Sequence, residues 1–224
     1  MEDEEGESQC ESIKITLLGS SGVGKTCIIK RYTEGSFDES SQSTSGASYS
    51  QRYLTIGNRS IQLDLWDTAG QEKYRSLGRH FYKDAFIVCL VYDITNPDSF
   101  QDLKEKWYHD LKTYGEKYTV LAVVGSKSDC YEKEEVPEED ARAYAKSIGA
   151  IYMLTSAKKG DNIDALFDTL IRQYLGPEFT KKVSEMKADK GEVKKVTNKK
   201  NSENKKKINV VKYKVILKLL IILK

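Results

Sequence analysis

The chain has 224 residues, 39% hydrophobic and 31% charged, with a formal net charge of +2, the make-up of a soluble globular protein with room for one good-sized domain and extensions. That total hides an asymmetry: from residue 179 onward there are 15 Lys against 4 acidic residues, a local +11 that leaves −9 for residues 1–178. Cys10, Cys27, Cys89 and Cys130 show neither paired spacing nor a metal-ligand pattern with His80 or His109, and no secretory leader precedes them, so the expectation is a reducing, cytosolic compartment rather than a disulfide framework.

Residues 1–11 hold six Asp or Glu and no apolar period, which predicts a disordered acidic leader. A domain over 12–177 follows. Ile13, Ile15 and Leu17 alternate with polar residues and predict a strand, while residues 27–32 predict a short helix closed by Gly35. Between them, Gly19-Ser20-Ser21-Gly22-Val23-Gly24-Lys25-Thr26 matches the phosphate-binding loop G-x-x-x-x-G-K-[ST] in full. Glycines there let successive N–H groups point inward around a pyrophosphate, and the following helix adds its positive end. Lys25 supplies a full positive charge, and the Thr26 hydroxyl is a hard oxygen donor suited to Mg²⁺.

Residues 49–56 and 60–66 are strand-like and separated only by Gly57-Asn58-Arg59. That link is too short for a crossover helix, so they should form an antiparallel edge hairpin. Residues 86–92, 120–125 and 151–154 are short, nearly continuous apolar runs, as strands buried on both faces require. Helices are predicted between them. Asn96 caps the first, with Pro97 at its start and Phe100, Leu103, Trp107, Leu111 and Tyr114 along one face, read as core rather than as a binding surface. Further helices are predicted over 137–148 and 163–175, ended by Gly149 and Gly176. The alternation predicts an α/β phosphate-loop fold: a mostly parallel six-stranded sheet, one antiparallel edge hairpin, helices on both faces.

Residues 178–207 are Lys-, Glu- and Asn-rich and predict a flexible tether, whereas 208–224 are almost entirely apolar apart from Asn209 and four lysines. As a helix, 208–223 would reach about 24 Å, short of a hydrocarbon core of about 30 Å. Two readings stay open: a segment lying in the interface of an anionic membrane with its lysines snorkelling, or an alternative or erroneous end of the reading frame. Nucleic-acid binding has little support, since Lys outnumbers Arg and no aromatic residue is interleaved with the tail lysines before Tyr213.

Asp67-Thr68-Ala69-Gly70-Gln71 places a carboxylate at the tip of the second hairpin strand, then a glycine and a glutamine. Here the chain resembles the small GTPases of the Ras superfamily, whose D-x-x-G motif this matches. The resemblance implies that Asp67 orients waters of Mg²⁺, that the Gly70 amide contacts the γ-phosphate, and that Gln71 orients attacking water, with Lys25 and the loop through Cys27 neutralising phosphate charge. Thr44 stands twenty-three residues before Asp67 and Phe37 seven before Thr44. By the same resemblance Thr44 coordinates Mg²⁺ and Phe37 packs against guanine, although Ser45-Gly46 departs from the family's usual Ile-Gly.

Ser126-Lys127-Ser128-Asp129 occupies the place of N-K-x-D, and Ser156-Ala157-Lys158 matches S-A-K in full. A carboxylate at Asp129 can accept both the ring N1–H and the exocyclic amine of guanine, whereas adenine has no donor at the ring position. Serine at 126 is shorter than asparagine, and losing one or two bonds would weaken binding by about ten- to a hundredfold. Leu90-Val91-Tyr92-Asp93-Ile94-Thr95 and close variants at 73–77 and 81–85 make the chain most similar to the Rab family. That likeness implies a monomeric GTP/GDP switch of vesicle traffic, peripheral on the cytosolic face of endomembranes. It implies slow hydrolysis quickened by an activating protein, an exchange factor, and effectors reading Tyr49, Trp66 and Phe81. The last cysteine is Cys130, so the family's C-terminal prenylation cysteine has no counterpart in this sequence. A competing reading is a pseudo-GTPase that binds partners without cycling.

Overall fold

The computed structural model describes residues 11–39, 44, 48–56, 59–68, 83–115 and 118–176. Both stretches of the C-terminal tail, the acidic leader to residue 10, and Gly70, Gln71 and Phe81 lie outside these residues.

Strand β1 (Glu11–Leu18) takes in Glu11, the last residue of the acidic leader, and leads into helix α1 (Lys25–Glu34). The hairpin is β2 (Ser48–Ile56) and β3 (Arg59–Asp67), followed by β4 (Ile87–Asp93). Helix α2 (Pro97–Asp102) starts with the Asn96 side chain accepting from the Ser99 amide, passes through a π-helical turn at Leu103–Trp107, and continues as α3 (Tyr108–Tyr114). Then come β5 (Val120–Ser126), a short 3-10 segment (Ser128–Lys133), α4 (Glu138–Ser147), β6 (Ile151–Leu154) and α5 (Ile163–Leu175).

The six strands are ordered β2-β3-β1-β4-β5-β6; only β2 against β3 is antiparallel. Strand β4 shows why both faces are covered. Its Ile87, Cys89 and Val91 join Ile13, Ile15, Ile28 and Phe167 in one core, while Val88, Leu90 and Tyr92 join Phe100, Trp107 and Ala141 in the other. Side chains alternate across a strand, so a run that is apolar at every position must have helices on both sides. Helices α1 and α5 cover the first face; α2, α3 and α4 cover the second.

The π turn corrects one detail of the expected helix. Phe100, Leu103, Trp107 and Leu111 are buried, but Tyr114 is 46% exposed. A turn wound with an i→i+5 pattern sets back the phase of everything after it, and the apolar stripe ends one turn early.

Candidate nucleotide-binding site

Parallel strands end on the same edge of the sheet, and the loops that follow β1, β3, β5 and β6 therefore gather at one rim. The loop after β1 must turn into α1 within residues 19–24. Gly19 runs so close to β4 that a Cβ would stand 2.2 Å from the Val91 carbonyl oxygen, and Gly24 heads α1 with φ +99°. Both positions demand glycine, one for space and one for its backbone. The positive N-terminal end of α1 completes an anion-receptive cradle.

Lys25 is 5% exposed, and its Nζ donates to the carbonyls of Gly19 at 2.6 Å and Ser20 at 3.0 Å. Burial pulls its ammonium down to about 8, against the opposing pull of the Asp67 charge. The ammonium is thus held against the phosphate loop by two main-chain carbonyls. Ser20 donates to Asp102 Oδ2 at 3.0 Å and accepts from the Trp107 indole at 3.3 Å, which ties the loop to the π turn. Val23 is buried, Ser21 and Gly22 lie at the surface or near it, and Cys27 is half-buried and outside any disulfide.

Four oxygens converge beside the loop. Thr26 Oγ1 donates to Asp67 Oδ2 at 2.6 Å and lies 2.6 Å from Thr44 Oγ1, and Ser48 Oγ donates to the same Asp67 oxygen at 3.3 Å. Asp67 Oδ1 is buried without a hydrogen-bond partner among the described residues. Burial raises the Asp67 carboxyl, only partly offset by the Thr26 bond and the Lys25 charge. A buried carboxylate oxygen left bare costs free energy unless a cation or water meets it. The donor set of hydroxyls and one carboxylate is hard oxygen throughout, which fits Mg²⁺ held partly through water and phosphate. Thr68 anchors this corner by donating to the Leu17 carbonyl at 2.7 Å.

A second group forms at the ends of β5 and β6. Ser156 Oγ donates to Asp129 Oδ1 at 2.6 Å. Partial burial alone would raise the Asp129 carboxyl, but the Ser156 hydroxyl, its own amide and the Cys130 thiol hold it below the ordinary range. Ser126 is 3% exposed; its hydroxyl donates to the Val23 and Tyr92 carbonyls, the latter at 2.8 Å. Serine here therefore bridges the base-side motif to the phosphate loop. Lys127 sits at φ 60° and pairs with Asp93 at 2.6 Å. Phe37 is half-buried, with the Arg31 guanidinium 6.0 Å from its ring centre. Lys158 pairs with Glu39 at 2.8 Å.

Tyr49 and Trp66 are half-buried cross-strand neighbours, their rings edge-to-face at 5.3 Å, with the Lys14 ammonium 4.7 Å from the indole. The Tyr49 hydroxyl bonds to Asp64. The structure therefore brings together Lys25, Thr26, Thr44 and Asp67 at one end, and Ser126, Asp129 and Ser156 at the other. Gln71, Gly70 and Phe81 fall outside the described residues. Sequence reasoning passed over Ser48, Glu39 and Arg31. Arg31 looks like an ordinary basic residue in a last helical turn, and no local pattern announces a partner 126 residues away.

Fold and site together define a phosphate-loop nucleotide-binding protein. The Ras family model matches residues 14–176. Among curated proteins, the Ras-related protein Rab-31 of Mus musculus is 44% identical over 168 residues, 74% of this chain and 86% of the relative. Ras-related protein Rab5A of Oryza sativa subsp. japonica is 37% identical over 168 residues, 75% and 82% of the two chains. Ras-related protein Rab-21 of Geodia cydonium is 42% identical over 163 residues, 72% and 70%. The chain belongs to the Ras superfamily, within its Rab family.

Proposed function

We propose that this chain is a Mg²⁺-dependent GTP/GDP switch that hydrolyses GTP slowly and recruits effectors in vesicle traffic. The observation that carries this reading is the convergence of Thr26, Thr44 and Asp67 beside the phosphate loop, with one Asp67 oxygen buried and without a hydrogen-bond partner among the described residues. Thr26, Thr44 and, through water, Asp67 would hold Mg²⁺, which when bound supplies charge neutralisation at the outer phosphates. Residues 19–27 cradle the phosphates, and Lys25 meets them with its positive charge. Asp129 accepts from the N1–H and amine of guanine, Phe37 covers the ring, and the amides of Ala157 and Lys158 face the base carbonyl. Gln71 orients the attacking water and Gly70 reports the γ-phosphate. Thr44 is the part of the effector loop whose position depends on that phosphate, so hydrolysis releases it.

Effectors, an exchange factor and an activating protein act on the switch segments, with Tyr49, Trp66 and Phe81 as the effector-facing aromatics. Residues 178–207 serve as a tether for 208–224 at a membrane surface. Among the described residues, no helix is long and apolar enough to cross a membrane.

Two measurements test the reading. Nucleotide released from the purified protein should be GDP or GTP, and calorimetry should show Mg²⁺-dependent guanosine nucleotide binding; an empty protein that ignores both nucleotides would end it. Gln71→Leu should suppress single-turnover hydrolysis while sparing GTP binding. A second reading, binding without cycling, is favoured by serine at 126, and wild-type protein that binds GTP but never turns it over would establish it instead.

A further inference from the structure

Arg31 makes three hydrogen bonds to main-chain carbonyls, one at the end of its own helix and two in the loop after β6. Its Nε donates to Ala157 at 2.6 Å, one terminal nitrogen to Lys158 at 2.8 Å, and the other to Gly35 at 2.7 Å. The contact with Gly35 is a familiar kind of helix-end interaction, in which a cation meets the negative end of its own helix. The other two have no such explanation, because they cross to the loop after β6. That loop is also held through the Ser156 side chain, which donates to Asp129. Asp129 and Arg31 therefore both tether it.

The spacing along α1 gives this clamp a function. Lys25 and Thr26 begin the helix at the phosphate loop, and Arg31 lies six residues after Lys25, about 9 Å further along the axis. One rigid helix thus carries the phosphate contacts at its head and holds the base-side loop near its tail. The guanidinium fork suits this task, since its fixed geometry can satisfy several carbonyls at once, which a lysine point charge cannot. Phe37 lies just beyond Gly35, so the same side chain borders the base-side loop, the helix end and the arm carrying that ring.

We infer that Arg31 is a positioning residue for base selectivity: it fixes the carbonyl side of the 156–158 main chain so that the amides on its other side are held where the oxygen of a guanine is read. The inference rests on the reading of this site as a guanine nucleotide site. The full chain is tested with two ligands, GDP and the GDP analogue whose base lacks O6, in wild type, Arg31→Ala and Arg31→Lys. Wild type should prefer GDP. Arg31→Ala should bind GDP about ten- to a hundredfold more weakly yet bind the analogue nearly as wild type does, so that the preference shrinks, with Arg31→Lys in between. Equal weakening toward both ligands would show a merely structural role and overturn the inference, as would unchanged GDP affinity. Should Arg31→Ala fail to fold, the preference ratio of Arg31→Lys decides alone, and an unchanged ratio overturns it. A wild type that binds neither ligand is a different failure, which removes the guanine site itself and the inference with it.

Discussion

The Thr26 hydroxyl donates to one oxygen of Asp67 at 2.6 Å while the carboxylate's other oxygen is buried with no hydrogen-bond partner among the described residues. The pair links the head of α1 to the tip of β3, and its geometry leaves one acceptor facing inward for a cation. Thr26→Val keeps the shape but removes the donor and the oxygen ligand. GDP release should then be at least tenfold faster, a loss on the scale of one charge-assisted bond. It should also be indifferent to EDTA, whereas wild-type release should quicken when Mg²⁺ is withdrawn. Stopped-flow with a fluorescent GDP measures both, and a variant as sensitive to EDTA as wild type would remove Thr26 from the metal's shell.

Ser126 has one proton and two carbonyls within reach, those of Val23 and Tyr92. Ser126→Ala leaves these buried acceptors short of a donor at a cost of about 1–3 kcal/mol, part of it in stability. Because Val23 belongs to the phosphate loop, nucleotide release should accelerate by about tenfold as well. Ser126→Asn, with a longer side chain and two donors, should release GDP no faster than wild type. Off-rates of the two variants check this, and identical rates for serine and alanine would show that the hydroxyl is idle.

Much of this was legible in the chain itself, and the boundary follows from range. The phosphate loop, the edge hairpin and the buried parallel strands each declare themselves within about ten residues, because glycine spacing, linker length and apolar runs are local constraints. A mostly parallel sheet with helices on both faces then follows from the alternation, whereas the strand order does not. What stayed hidden is long-range or subtle. The π turn at Leu103–Trp107 has no proline or glycine to mark it, yet it moves Tyr114 out of the core. Arg31 reaches Ala157 across 126 residues, and Glu39 reaches Lys158 across 119; no periodicity encodes either. From the sequence alone, serine at 126 signals only a loss of hydrogen bonding relative to asparagine. Its contact with Val23 appears only when β5 is set beside the phosphate loop.

Asp129 is expected to bind guanine only when ionised, and the Ser156 hydroxyl favours that form. Removing the hydroxyl in Ser156→Ala withdraws a donor that prefers the carboxylate, so the carboxyl should titrate at a higher pH. The acid limb of GDP affinity should move upward accordingly, within the window of about pH 3–5 that brackets the ordinary aspartate value. Affinity at pH 8 should change far less. Binding isotherms across that range would show the displacement, and superimposable profiles would mean that the Ser156 bond does not tune Asp129.

Cys89 lies fully buried in β4, and burial pushes its thiol up from 9.0 to about 12. In the folded protein the thiol keeps its proton well above the pH at which the unfolded chain loses it. Between those values the unfolded state binds fewer protons, so stability falls as pH rises, by up to about 1.4 kcal/mol per unit. Tyr32 and Tyr144, also pushed up by burial to about 12, add to the fall above pH 10. Cys89→Ala removes the thiol's share. Its destabilisation at pH 7, where the lost methylene-sized volume dominates, should therefore shrink by about 1.4 kcal/mol at pH 10. Urea unfolding of wild type and variant at both pH values measures the difference. A penalty that does not change with pH would show that Cys89 is not protected from ionisation in the folded state.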